Sequence, residues 1–309
     1  MGILKKTLNK IPYSILLRLY YCYYALFLYS QETLFKNMFG LRSLHLSDLQ
    51  CRKKSDTIFI LGSGPSINSI SDSRWNFISK HVTVGLNFWL IHNFVPDIYF
   101  CEVISDKIAL ANVCSNCLFY FMKKRSEEYK SVLKIIMDLS NANTFKWLKS
   151  LPDNWRDNLH FLYGIPVLAR NKYELEYSIS YLVKKKLFEK TDNFGHVFKY
   201  MGTVIAIMTM AVKMDFKRIV LCGIDLSSSK HFFDDKELYK NAPPEQIYAG
   251  RHLHGTMRST PMLMPIDSVI SVFKTQVLEP RGIELYLESC TSLLYPRIPL
   301  MPEDILNVK

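Results

Sequence analysis

No Gly-Lys-Ser or Gly-Lys-Thr follows the glycine-rich turn GSGPS at residues 62–66, which excludes a P-loop. A third glycine is also missing, so the dinucleotide fingerprint G-x-G-x-x-G is incomplete. No D-x-D motif occurs, although metal-dependent sugar-nucleotide transferases commonly hold a divalent cation with one. Metal-independent chemistry is therefore expected, with no metal site and no cofactor. There is no Gly-x-Ser-x-Gly elbow and no kinase signature. The seven cysteines are odd in number, scattered and mostly inside apolar runs, which excludes a disulfide framework and suits a reduced intracellular protein. Cys114 and Cys117 form one C-x-x-C, but no second pair stands at zinc-finger spacing.

The chain also lacks a clean membrane-spanning run. Residues 11–29, IPYSILLRLYYCYYALFLY, approach the roughly 20 apolar residues a span requires, but Arg18 and six tyrosines interrupt them. Tyrosine favours the headgroup level, and Lys5, Lys6 and Lys10 precede the run. No small-residue cleavage site follows it. The pattern predicts an amphipathic helix lying in the membrane interface, with packing on the protein's own core as the alternative. Residues 1–54 carry nine Lys or Arg against Glu32 and Asp48, most of the formal net charge of +11. The remainder is only mildly basic, which argues against a nucleic-acid partner. The expected organisation is a basic, aromatic segment over 1–54 that meets the membrane through residues 1–40, then one domain over 55–309.

Within that domain apolar runs alternate with helical stretches. TIFILG, HVTVGLN, PDIYFCEV, HFLYG, KRIVLCGID and GIELYLES read as strands. Residues 66–80 and TVIAIMTMAVKM at 203–214 read as helices. This alternation predicts an α/β fold, doubly wound around a mainly parallel sheet. Residues 226–265 break the pattern, being polar and rich in Pro, Gly and His, and read as a lid insertion or as a plain surface insertion.

In open α/β sheets ligands sit beyond the carboxyl ends of the strands, where Gly62, Ser63, Gly64 and Ser66, then Asn87, then Gly223 and Asp225 fall. The glycines would let backbone approach a ligand, and helix N-termini offer N–H groups to an anion. GSGPS could equally be a tight turn with no ligand. The Asn87 amide suits a base edge or ribose hydroxyls. The Asp225 carboxylate suits a ribose diol or, alternatively, an N-cap for a following helix. Arg251-His252-Leu253-His254 is the densest group for proton chemistry: a histidine can take a proton from a hydroxyl nucleophile, and Arg251 and Arg258 could steady a phosphate.

Taken together, ILGSGPSINSI, VGLNFWL, MGTVIAIMTMAVKMDFKRIVLCGIDL and IELYLESCTSLL resemble, in order over about residues 57–296, the bacterial sialyltransferases that decorate lipooligosaccharide and use CMP-sialic acid. The resemblance implies a Rossmann-like, GT-A-like variant, metal-independent and inverting, with a lid that orders over CMP. It implies nucleotide contacts from Gly62, Ser63, Gly64, Ser66, Asn87, Gly202, Thr203, Gly223, Asp225, Ser289 and Thr291. It implies a lid histidine as general base, His254 first and His252 next. The family's two leaving-group tyrosines fall at Ser227 and His231 here, and its arginine at Tyr200, so the contacts to the leaving phosphate differ. Positive charge from Arg251, Arg258 or His231 is expected to replace them.

GIDLSSSKHFFDDKE is also similar to lipopolysaccharide core proteins thought to transfer Kdo, another CMP-activated 2-keto-3-deoxy acid. The expected partners are a CMP-sugar donor and a glycolipid or oligosaccharide acceptor, with room for a homo-oligomer and no nucleic acid. The expected place is the cytoplasmic face of the inner membrane, held peripherally. An inactive CMP-binding paralogue in a membrane assembly is the rival from a different class.

Overall fold

A computed structural model describes residues 12–102, 111–137, 147–167, 169–192, 194, 196–200, 202–240, 242, 254–257 and 263–302. The chain opens with helix α1 (Tyr13–Phe39), which ends where Gly40 turns left-handed at φ 62 and its N–H caps Lys36 O. It is longer than the amphipathic run expected over 11–29. Among the described residues no helix is long and apolar enough to cross a membrane. Strand β1 (Arg42–Ser43) and helix α2 (Leu46–Gln50) follow. Leu41, Leu44, Leu46 and Leu49 join the main core, so the sheet reaches across the boundary drawn at residue 54.

The sequence elements then come in strict alternation of strand and crossover. β2 (Thr57–Leu61) is buried at every position, as a central parallel strand must be. The single helix expected over 66–80 is instead a 3₁₀ turn (Pro65–Ser69) and helix α3 (Asp72–Ile78). Extended backbone at Ile70 and Ser71 separates them, and the Ser71 side chain caps α3 by accepting from Arg74 N at 3.3 Å. β3 (Val82–Leu86), β4 (Ile98–Glu102), helix α4 (Ala111–Lys124), β5 (Leu133–Met137), β6 (Leu159–Pro166) and helix α5 (Lys172–Lys184) continue the series. After β7 (His196–Lys199) comes α6 (Thr203–Lys213), then β8 (Arg218–Cys222), α7 (Ile266–Phe273) and β9 (Glu284–Leu287). Every residue of α6 is buried, as suits a helix enclosed by the fold.

Three strands escaped the sequence pattern: β1, which is only two residues long, and β5 and β7, each of which carries a lysine. β5 carries Lys134, which is buried yet donates its ammonium to Asp157 O at 2.7 Å; burial pulls its pKa down to about 8. β7, HVFK, is short and begins and ends on polar residues.

The strands form a nine-stranded sheet in the order β1-β6-β5-β4-β3-β2-β8-β9, with β7 on the far half of β6, and each of these pairings is parallel. The chain runs outward from β2 to β6 and then returns to lay β8 beside β2. Connections therefore leave β2 and β8 in opposite directions, which makes their carboxyl ends the switch point where such sheets hold ligands. None of the seven cysteines forms a disulfide.

Candidate functional site

The turns that follow β2 and β8 meet at this switch point. Gly62 N donates to Cys222 O at 2.8 Å and Gly64 N to Gly223 O at 2.7 Å. A side chain on Gly64 would put its Cβ 2.3 Å from Asp225 Oδ2 and 2.8 Å from Gly223 O, and one on Gly62 would lie 2.6 Å from the same carbonyl. These two glycines are thus required by the approach of one turn to the other, whatever a ligand needs. Gly223 has φ 64, a left-handed turn that suits glycine.

Asp225 is buried and committed. Its Oδ2 accepts from Ser66 N at 2.9 Å and its Oδ1 from Ser66 Oγ at 2.6 Å. The carboxylate expected to meet a ribose diol, or to cap the next helix, instead caps the 3₁₀ turn Pro65–Ser69 from across the sheet. Ser66 is consumed by the same pair of bonds.

Asn87 shows a similar reassignment. It sits at φ 48, a conformation asparagine tolerates better than most side chains, and its amide faces the protein. Oδ1 accepts from Glu102 N at 2.9 Å, and Nδ2 donates to Thr203 Oγ1 at 3.4 Å. Thr203 in turn donates to Glu102 Oε2 at 3.0 Å, and Lys199 Nζ lies 2.7 Å from Glu102 Oε1. The ends of β3, β4 and β7 and the start of α6 are thereby joined in one polar network. Glu102 and Lys199 were missed from sequence. Glu102 had a signal, an acid closing an apolar strand; Lys199 ends a strand that the pattern did not reveal.

The histidines come together. His231 is buried, with Nδ1 2.9 Å from Ser63 Oγ and its ring stacked on Phe233 at 4.8 Å between centroids. Its backbone N–H donates to Asp234 Oδ2 at 2.7 Å, and Phe232 N donates to Ser63 O at 2.8 Å, so the segment is pinned over the glycine-rich turn. Burial, with His254 adding to it, pulls the His231 pKa down to about 3. The positive charge expected of His231 is therefore absent at neutral pH, because a cation there would be stripped of water. His254 stands edge-on to it, 5.8 Å between ring centroids, with Nδ1 2.9 Å from Thr256 Oγ1. Nearby Gly202 caps the start of α6 without a side-chain hydrogen bond. A Cβ on Gly202 would meet only Thr256 Cγ2 at 3.6 Å and other ordinary contacts, so packing alone does not demand a glycine there.

Ser289 and Thr291 follow β9 on the same edge and bond to each other at 2.8 Å. Their turn is tied to that of β8 through Ser292 Oγ to Ile224 O at 2.7 Å and Leu293 N to Asp225 O at 2.8 Å. Arg251, His252 and Arg258 lie outside the described residues, as do parts of the stretch read as a lid. The described beginning of that stretch is not a loose insertion: Phe232 and Phe233 are fully packed against Phe88 and Trp89. A separate cavity of about 410 Å³ opens between residues 238–240 and the end of α4, near Lys124 and Lys240, and none of the expected site residues lines it. Among the described residues no group of three His, Cys, Asp or Glu side chains could hold a metal ion.

The buried histidines set an acid limit on the fold. His92, packed against Trp89, is held down to about 4, first by burial and then by Arg125. Both histidines titrate near 6.5 when unfolded, so their contribution is complete above that pH. As pH falls from 6.5 toward 4, the unfolded chain binds protons that the folded chain refuses, costing about 1.4 kcal/mol per pH unit for each histidine. Melting temperature should drop steeply over this range, and less steeply in His231→Gln. Identical slopes for the two proteins would mean that His231 titrates alike folded and unfolded.

No protein-family model matches the chain, and no curated protein matches it.

Proposed function

We propose that the chain is a metal-independent, inverting glycosyltransferase that moves sialic acid or a related acidic 2-keto-3-deoxy sugar from a CMP-activated donor to a surface-glycan hydroxyl. Kdo transfer to lipopolysaccharide core is the nearest variant of the same chemistry. The reading takes the sheet as a Rossmann-like, GT-A-like core, residues 226–265 as its lid, and the cytoplasmic face of the inner membrane as its place of work.

The observation that carries it is the convergence at the switch point. The glycine-rich turn holds His231 through Ser63, His231 faces His254, and Thr256 stands over Gly202 at the N-terminus of α6. A helix N-terminus suits a phosphate, and the base candidate stands beside it.

In the reaction the bond from the anomeric carbon to the phosphate oxygen breaks, and CMP leaves with the electron pair. The acceptor oxygen forms the new bond from the opposite side, and its proton passes to His254. That role needs the tautomer in which Nδ1–H donates to Thr256 Oγ1 and Nε2 keeps its lone pair, so the longer bond that Nδ1 accepts from Thr256 N, at 3.4 Å, is given up in it. Positioning and charge supply most of the assistance, because CMP is already a good leaving group. With His231 neutral, Arg251 and Arg258 remain as the cations for the departing phosphate.

A second reading, a CMP-binding chain without transfer, is favoured by one fact: His231, at the position of a family tyrosine, is buried and uncharged.

Thermal shift with CMP, CDP, UDP, GDP and NAD, each with and without EDTA, tests the ligand. CMP at a hundred times its dissociation constant should add about 2.7 kcal/mol of stability, indifferent to EDTA. Stabilisation by UDP or GDP only with metal, or by none of the panel, would sink the reading.

A further inference from the structure

Helix α1 has two unlike faces. One is fixed to the fold: Leu17 is buried, the Tyr13 hydroxyl is 2.6 Å from Ser178 Oγ, and Tyr21 packs edge-on against Tyr181 at 5.6 Å. Both partners lie on α5. The other face presents Ile15, Leu19, Tyr23 and Leu26 at helical spacing, and the stripe runs on through Tyr29. Leu19, Tyr23, Leu26 and Tyr29 are 61%, 63%, 73% and 71% exposed, far more than apolar side chains of a helix that packs both ways.

We propose that this face docks flat on an anionic lipid surface. Arg18 and Lys36 are exposed and about five helical turns apart, so they point to the same side and rim the stripe. Neither forms an ion pair with a carboxylate among the described residues. Tyrosines interleaved with leucines match the headgroup level, where a ring can be buried and its hydroxyl wet. Basic residues at the edge match lipid phosphates.

A second copy of the chain fits the stripe poorly. A two-fold interface uses the same patch on both copies. Arg18 and Lys36 are the charged side chains described on α1, so an isologous pair brings each copy only the other's cations. Lipid phosphate supplies the missing counter-charge.

The direction of α1 gives the docking a consequence. Its first residue sits within electrostatic reach of Tyr200, which follows β7 and adjoins Gly202, whereas its last leads into β1 at the start of β6. The carboxyl-end edge of the sheet, with the candidate site, therefore lies toward the N-terminal end of the docked helix. This deepens the membrane placement in the proposed function and rests on that reading only in setting the candidate site near a lipid-borne acceptor.

The test is flotation of the full chain with phosphatidylcholine vesicles, plain or doped with phosphatidylglycerol. The expected result is retention on the doped vesicles and at least tenfold weaker retention on the plain ones. The double variant Leu19→Glu/Leu26→Glu should lose retention on both. Arg18→Glu/Lys36→Glu should lose the preference for anionic lipid, a fall of about thirtyfold if each cation contributes as a basic residue near such a surface does. Both variants should melt nearly as the wild type does, because these side chains are largely exposed.

Three results would each overturn the proposal. They are no retention on doped vesicles, undiminished flotation of the leucine variant, or a dimer in light scattering that the leucine variant dissolves. Flotation in a chain that CMP fails to stabilise would uphold the docking and sink the transferase reading; the reverse pattern would do the opposite.

Discussion

His254→Ala should abolish sugar transfer and leave CMP binding intact. A positioned base contributes about 10²–10⁴ in rate, so turnover should fall by that factor, equivalent to about 3–5 kcal/mol of lost barrier reduction. The thermal shift given by CMP should persist, because the groups that support the glycine-rich turn are elsewhere: Gly64 on Gly223, Ser66 on Asp225. The check is CMP release from CMP-sialic acid and CMP-Kdo with a glycan acceptor, run beside His252→Ala. Loss of transfer in His252→Ala with activity kept in His254→Ala would move the base by two residues. Absence of transfer in the wild type, with either donor, would end the enzyme reading and favour the binding chain. The pH profile of the wild type adds a constraint. His231 stays neutral through the working range, so a loss of rate on the acid limb above pH 5 belongs to another group.

Gly64→Ala should produce a large loss of stability. The new Cβ would lie 2.3 Å from Asp225 Oδ2 and 2.7 Å from its Cγ. Neither neighbour can yield cheaply. The carboxylate is held by two bonds from Ser66, and the Gly223 carbonyl, 2.8 Å from the same Cβ, is held by Gly64 N. Overpacking of this kind costs about 3 kcal/mol, which at this chain length lowers the melting temperature by about 5 °C. Removing the obstacle should restore part of it. Asp225→Ala alone leaves the Ser66 donors unsatisfied, at a cost of about 1–3 kcal/mol. The double variant should lose less than the sum of the two, with a coupling of about 1–2 kcal/mol. If Gly64 were glycine only to admit a nucleotide, Gly64→Ala would melt normally and lose just its response to CMP. Melting curves with and without CMP separate these outcomes.

What could be read without coordinates was local. TIFIL and IVLC declare buried parallel strands because every side chain in them is apolar or small enough to enclose, and TVIAIMTMAVK declares a helix that is mostly apolar all round. Alternation of such runs is enough for an α/β class, and the polar residues at their carboxyl ends mark where a ligand is to be sought. The aromatic, basic character of α1 was equally plain, though not which of its tyrosines would be spent on α5 and which left outside. β5 was hidden because a buried lysine interrupts it, and the carbonyl of Asp157 that makes Lys134 tolerable is 23 residues away.

Tertiary structure alone decided what the site residues do. Ser66 and Asp225 are 159 residues apart and Ser63 and His231 are 168 apart, so nothing in either neighbourhood announces the bond. Both follow from laying β8 beside β2, a choice of strand order that no local pattern encodes. That choice turns two glycines into contacts between turns, a presumed ligand carboxylate into a cap, and a presumed cation into a neutral ring, because each group is desolvated by a partner from the other end of the chain.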